Sequence, residues 1–178
     1  VLTAGSVFPP GHPATRLCLE LLVETLAASS CPQLLDVGCG SGVLLLAGVA
    51  AGAQAGLGVD LAWRAVATTR NNARANGLAA AVQVVQGSTE CLRHAFGVML
   101  GNLPWAVQMD KVAEFTRLAA PETRLILSGF KDTQEEELRA GYEQAGWVLE
   151  TRRTRDEWVI ELPPEKSYTW VAWRLQRR

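Results

Sequence analysis

Asp36-Val37-Gly38-Cys39-Gly40-Ser41-Gly42 sets a carboxylate two residues ahead of three glycines at alternate positions. Leu34 and Leu35 before it suit a buried strand, and Val43-Leu44-Leu45-Leu46-Ala47 after it suits a helix, so the glycines fall on a strand-to-helix turn. Backbone N–H groups and the positive helix end at such a turn attract a nucleotide or nucleoside; a plain tight turn is the alternative. A second carboxylate favours the ligand. Gly56-Leu57-Gly58-Val59-Asp60 reads as a strand ending in an acid, the place from which nucleotide-binding α/β folds accept two ribose hydroxyls, with Leu61 next to it on the same loop. Hydrogen bonds to a charged acceptor are worth about 1.5–3 kcal/mol each, so removing Asp60 should weaken the ligand well beyond tenfold.

Two more loops carry polar groups. In Gly87-Ser88-Thr89-Glu90, Ser88 or Thr89 could hydrogen-bond a base, or could simply cap a helix. Asn102-Leu103-Pro104-Trp105 offers a neutral amide that can orient an amine lone pair, and a ring that can pack on a planar group or on its own domain. Glu90, Asp110 and His12 are the groups within reach as a general base, each equally readable as structural.

The elements that must position these loops alternate. A helix is predicted from Pro13, with Leu17, Leu21, Leu22 and Leu26 on one face, after a Gly- and Pro-bearing segment over residues 1–12 that fits neither helix nor central strand. Ser29-Ser30-Cys31-Pro32 breaks it. Strands follow at 34–37, 56–60, 82–86, 97–100 and 124–128, with helices at 43–51, 62–76, 109–119 and 133–144. Strands alternating with helices imply a parallel sheet covered on both faces, and ligands then bind beyond the carboxyl ends of the strands. Residues 147–162 and 168–175 are β-rich with only a Pro-Pro turn region between them, so the chain should end in an antiparallel hairpin.

The 178 residues make one domain by size, with 48% hydrophobic and 20% charged residues, as in ordinary globular proteins. No apolar tract is long enough to span a membrane, so the expectation is a soluble, cytoplasmic protein. Cys18, Cys31, Cys39 and Cys91 have no Cys-x-x-Cys spacing, and His12 and His94 add no metal pattern, so no metal is expected. A net charge of −1 and a pI near 6.2 argue against strong non-specific nucleic-acid binding, though Arg152, Arg153 and Arg155 form a small basic cluster that could meet RNA or lie on a solvated strand face. The first residue is Val and no signal-peptide pattern follows it, which suggests the excised domain of a longer protein.

Asp36-Val-Gly-Cys-Gly-Ser-Gly42 resembles the first motif of class I S-adenosylmethionine (SAM) methyltransferases, acidic-x-Gly-x-Gly-x-Gly. SAM has no pyrophosphate for the turn to cradle but has an ammonium and a sulfonium that a strand-end carboxylate can offset. The resemblance implies a Rossmann-like α/β fold with a seven-stranded sheet of order 3-2-1-4-5-7-6. It implies Asp36, Gly38, Gly40 and Gly42 at the methionine moiety, Asp60 and Leu61 at the ribose, and Ser88 at the adenine. Asn102, Pro104 and Trp105 would form the acceptor site, Asn102 would also contact the cofactor, and His12 would be a lid contact over it.

Across most of the chain the motifs are similar to the catalytic domain of the bacterial methyltransferase of large-subunit ribosomal protein eleven, a protein-lysine methylating family. The similarity rests on Phe8-x-x-Gly11-His12-x-x-Thr15, the 35–43 motif, Gly58-Val-Asp60, Asn76-Gly77, the Asn102 loop, Leu125-Ile-Leu-Ser-Gly129 and Glu157-Trp158-Val159. That family usually opens Phe-Gly-Thr-Gly-x-His where this chain has Phe8-Pro9-Pro10-Gly11-His12, and its separate substrate-recognition domain is not in this sequence. The implied function is SAM-dependent methyl transfer to an amino nitrogen of a protein, of the ribosomal-protein lysine type. Asn-Leu-Pro-aromatic also resembles the loop of ribosomal RNA adenine dimethyltransferases, which keeps an exocyclic amine of RNA or DNA as the alternative acceptor. A non-catalytic SAM- or nucleotide-binding module and an NAD-dependent oxidoreductase are the readings outside methyl transfer.

Overall fold

Leu34 and Leu35 are neighbours in the chain but enter different cores, and Leu100 and Met99, Ile126 and Leu125, and Ala172 and Trp173 divide the same way. Successive strand residues point to opposite faces, so a sheet covered on both sides needs apolar residues at both phases. The computed structural model describes residues 9–28, 30, 33–157 and 168–177. Within them the strands are β1 (Gln33–Val37), β2 (Ala55–Asp60), β3 (Val82–Gln86), β4 (Phe96–Asn102), β5 (Ala119–Lys131), β6 (Trp147–Asp156) and β7 (Thr169–Arg177). The helices are α1 (Pro13–Ala28), α2 (Val43–Ala50), α3 (Trp63–Ala75), α4 (Trp105–Arg117) and α5 (Glu135–Gln144).

The seven strands form one sheet of order β3-β2-β1-β4-β5-β7-β6, as expected. Pairing is parallel from β3 through β5, then antiparallel at β5–β7 and β7–β6. Residues of α1, α2 and α3 fill one core with Leu34, Leu100 and Ile126. Phe115 of α4 and Leu138 and Tyr142 of α5 fill the other, with Trp147 and Trp173. No helix among the described residues is long and apolar enough to cross a membrane.

Two boundaries differ from the sequence reading. Helix α4 begins at Trp105 rather than Met109, because Pro104 stands at its N-cap with φ −53° and its carbonyl accepts the N–H groups of Val107 and Gln108. Strand β5 runs for 13 residues, well past 124–128, because its ends pair with Phe96 on one side and with Trp170 on the other. Residues 1–8 of the covering segment, Cys31 and Pro32 of the helix breaker, Trp158 and Val159 of the family motif, and the turn at 163–167 lie outside the described residues.

The basic cluster on the edge strand β6 is not free. Arg152 pairs with Glu135 at the start of α5, Arg153 with Glu24 of α1 and Arg155 with Glu20 of α1. These arginines latch β6 to the helices flanking it, and their charge is met by the protein itself.

Candidate functional site

The parallel strands β3, β2, β1 and β4 end along one edge, and a cavity of about 370 Å³ opens there. That volume suits a small ligand or cofactor. Asp36, Gly38 and Gly40 line it from the first turn, Asp60 and Leu61 from the second, Ser88 from the third, and Asn102 and Pro104 from the fourth. Four loops that sequence reading placed together do share one site.

In the first turn Gly38, Gly40 and Gly42 have φ of +71°, +56° and +80°, which L side chains rarely adopt. A Cβ at Gly42 would stand 2.6 Å from Thr69 Cγ2, and one at Gly38 would run into the Leu103 side chain. Thr69 Oγ1 donates to the Gly40 carbonyl at 2.9 Å and Asn72 Nδ2 to the Ser41 carbonyl at 2.9 Å, so two buried polar residues of α3 hold the turn from behind. The turn's own amides face inward. Gly38 and Cys39 donate to the Val59 carbonyl, Gly40 to Asp60 Oδ2, and Gly42 to the Cys39 carbonyl.

Asp36 is only 2% exposed, and its Oδ2 accepts the Leu45 N–H of the first turn of α2 at 3.2 Å. Burial pushes its carboxyl up to about 7; the Leu45 hydrogen bond pulls it down and the Asp60 charge adds to the rise. Asp60 accepts the Gly40 N–H on Oδ2 and the Ala62 N–H on Oδ1, both at 2.9 Å, which ties the second loop to the first. Each carboxylate oxygen keeps capacity for a further donor. Leu61 beside it is 74% exposed, a large apolar side chain on the cavity rim. Ser88 Oγ accepts a hydrogen bond from Lys111 Nζ at 2.8 Å, and the same ammonium reaches Glu90 Oε1 at 2.6 Å.

The fourth loop is built differently. Asn102 Nδ2 donates to Thr15 Oγ1 of α1 at 3.1 Å, 87 residues away, while Asn102 Oδ1 is buried with no partner among the described residues. Gln108, fully buried on α4, donates to the carbonyls of Leu103 at 2.6 Å and Ser128 at 2.8 Å. Gly129, at φ +97°, lets β5 approach so closely that a Cβ there would collide with the Leu103 carbonyl. Loop and strand are thereby locked together.

The profile of the ribosomal protein L11 methyltransferase family matches residues 2–162. The chain belongs to that family. It is 36% identical over 161 residues to a ribosomal protein L11 methyltransferase of Azotobacter vinelandii, a match covering 89% of this chain and 54% of the relative. The chain thus spans about half the length of the curated relatives it matches. Among solved structures, a ribosomal protein L11 methylase of Lactobacillus delbrueckii subsp. bulgaricus superposes with a TM-score of 0.81 at 18% identity, covering 96% of this chain and 81% of that one. An N-methyltransferase of Bradyrhizobium japonicum, solved in complex with S-adenosylhomocysteine, superposes with a TM-score of 0.72 at 12% identity, covering 93% and 88%. Both likenesses are of fold.

Not every residue singled out in this member of the L11 methyltransferase family reaches the cavity. Gly42 shapes the turn without lining it. Trp105 packs against the core beneath the sheet rather than walling the cavity. His12 also stands apart from the lining: its Nδ1 accepts the Ala14 N–H at the start of α1 and its ring meets Trp170 edge-on at 4.6 Å. Burial draws its pKa below the ordinary value, against Glu157 and with Lys131. None of the three base candidates lines the cavity, and the Lys111 ammonium, which donates to Glu90 Oε1 at 2.6 Å, holds the Glu90 carboxyl down to about 2.

Four functional neighbours escaped the sequence reading. Gln108 lies seven residues before Phe115 on the buried stripe of α4, a visible sign of a polar group in an apolar position. Thr15 belonged to the family motif but had no role assigned. Gly129 likewise ended a family motif with no role assigned, and Lys111 gave no signal, because what it touches is distant in the chain.

Proposed function

We propose that this chain is the catalytic domain of a SAM-dependent methyltransferase that places the methyl group on an amino nitrogen of a protein, a lysine of ribosomal protein L11 in keeping with the family. One observation carries the reading: Asn102 lines the cavity, and its Oδ1 is buried with no hydrogen-bond donor among the described residues. A buried unpaired oxygen costs about 1–3 kcal/mol, and an incoming N–H relieves that cost.

The residues present fit the cofactor. Gly38 and Gly40 bring backbone to the cavity wall, Asp36 and Asp60 supply negative charge for a cationic ligand, and Leu61 offers an apolar face for a base or ribose edge. SAM, when bound, supplies an electrophilic methyl group on a sulfonium. Asp60 accepts the ribose hydroxyls, and Asp36 offsets the positive charge of the methionine end. Thr15 fixes the Asn102 amide through Nδ2, which leaves Oδ1 to take an N–H of the neutral amine and aim its lone pair. Gln108 and Gly129 keep that oxygen in place, so alignment supplies much of the rate. A lysine has pKa about 10.4, and presenting it neutral at pH 7 costs about 4–5 kcal/mol. None of Glu90, Asp110 and His12 lines the cavity, and the carboxylates that do, Asp36 and Asp60, are bonded to backbone N–H groups on the cofactor side, so the proton is assigned to water before the amine enters. With Arg152, Arg153 and Arg155 ion-paired, nothing described on β6 favours an RNA acceptor.

Titration calorimetry of the chain with SAM, S-adenosylhomocysteine and NAD, repeated on Asp60→Ala, tests the cofactor. Binding of the first two, weakened at least tenfold in the variant, is expected; binding of NAD alone, or of nothing, refutes the reading. Radiolabelled methyl transfer to ribosomal protein L11 and to ribosomal RNA, using the full-length protein, then separates the two acceptors.

A further inference from the structure

Between Asp36 and Glu90 the chain carries one carboxylate, Asp60, which lines the cavity, and three cations, Arg64, Arg70 and Arg74, all exposed on α3. None of these arginines is in a salt bridge among the described residues. The opposite edge of the sheet is the contrast, because each arginine of the β6 cluster is met by a glutamate. A protein of net charge −1 thus keeps one flank, α3 over the edge strand β3, basic and free of acids. The same flank presents an aromatic ring. Trp63 is 57% exposed in the first turn of α3, and positions 63, 70 and 74 recur at two and three helical turns, so Trp63, Arg70 and Arg74 form one stripe about 16 Å long. The Arg70 guanidinium sits over the indole, 5.6 Å from its centroid, and its Nη2 donates to the Val84 carbonyl of β3 at 2.8 Å. The ring is therefore steadied by a cation and still open to solvent.

We propose that this face of α3 docks single-stranded RNA, with phosphates on Arg64, Arg70 and Arg74 and a base stacked on Trp63. The inference goes beyond the methyl-transfer reading and rests on it only for the choice of RNA, since the relatives are named for a ribosomal protein. Charge alone would suit an acidic peptide equally well. The ring decides between them: an aromatic face is negative and repels a carboxylate, whereas every base offers a π-face to stack. Guanidinium forks match phosphate oxygens whatever the sequence, so the docking positions the strand and reads no bases. Three arginines also set the strength. Neutralising about three phosphates gives a slope near −2 in log K against log salt, so the hold is weak and strongly dependent on salt. The stripe begins two residues past Leu61 on the cavity rim, which puts docked RNA beside the cavity.

Fluorescence anisotropy of a labelled, unstructured RNA of about 12 nucleotides, within the usual span of such sites, tests this against a glutamate peptide of equal length. The wild type should bind the RNA and lose about fifteenfold in affinity between about 50 and about 200 mM salt. Arg64→Glu/Arg74→Glu, which leaves Arg70 and its bond to Val84 in place, should weaken the RNA by about tenfold or more and flatten the salt slope. Trp63→Ala should weaken it about tenfold with the slope kept. Arg139→Gln on α5, whose guanidinium already pairs with Glu143, should change it by less than about twofold. Thermal melting confirms that each variant is folded, and calorimetry with S-adenosylhomocysteine should give wild-type affinity throughout. No RNA binding by the wild type overturns the proposal, as do unchanged affinity in the folded double variant, no loss in Trp63→Ala, or a peptide bound as tightly as RNA. A wild type that takes up RNA but not S-adenosylhomocysteine overturns the cofactor reading and leaves this docking face standing.

Discussion

The two halves of the cavity are held by different means. On the cofactor side the glycine turn is held from one continuous stretch of chain: Asp36 bonds an N–H nine residues on, and Asp60, Thr69 and Asn72 bond the turn from 20 to 31 residues on. On the acceptor side the Asn102 loop is held from afar: Thr15 lies 87 residues back and Ser128 and Gly129 more than 20 ahead. The turn's partners all lie between β1 and α3, whereas the acceptor loop is tied to α1, α4 and β5, so the acceptor geometry can change without touching the cofactor side. The two glycines that bracket Leu103 show the same contrast. Gly38 faces the flexible end of its side chain, and Gly129 faces its backbone.

The sharpest break between the halves is Asn102→Ala. Losing one preorganised hydrogen-bonding group at a reacting centre typically costs about 100-fold or more in kcat. The expected result in a single-turnover assay is that loss, with the calorimetric affinity for S-adenosylhomocysteine within about threefold of wild type; an equal loss of both would merge the halves into one. Gly129→Ala comes next. A positive φ combined with a backbone collision should cost about 2–4 kcal/mol in urea unfolding, against about 1–2 kcal/mol for Gly38→Ala, where a leucine methyl can swing away. The reverse order would refute the distinction drawn at Leu103.

Thr15→Val tests the longest tether. It removes the acceptor for Asn102 Nδ2 and should lower kcat about tenfold, the worth of one hydrogen bond, with recovery in Thr15→Ser and no change in cofactor affinity. The smallest effect is on the cofactor side. Asp36 binds its proton more tightly in the fold, near 7, than at its ordinary 3.8, so its contribution to stability is greatest below the ordinary value and is lost as pH rises through about 7. The neighbouring thiols of Cys18 and Cys39 are both pushed up and stay neutral over this range, while Asp60 adds to the rise. Melting temperatures between pH 5 and 8 should therefore fall more steeply in the wild type than in Asp36→Asn. A cationic ligand favours the carboxylate, so the difference should shrink when SAM is bound.

What could be read from sequence follows this division. The turn at Gly38, Gly40 and Gly42, the acid at Asp60 and the alternation of strands and helices are local patterns, and each appears where its spacing placed it. The start of α4 was misplaced because Trp105-Ala106-Val107-Gln108 has no helical pattern of its own and takes its register from Pro104. Trp105 looked like a substrate wall because aromatic residues after Pro often are one; its side-chain direction depends on a helix whose start was not visible.

The sequence by itself determined the fold class, the cofactor turn and the family, because those depend on backbone angles and periodicities set within a few residues. Only the tertiary structure decided that Thr15 holds the Asn102 amide, that Lys111 meets Ser88, and that the arginines of β6 are already paired. Each of those is settled by a partner 17 to 135 residues away, and hydrogen bonds and ion pairs depend on distance in space, which spacing along the chain does not encode.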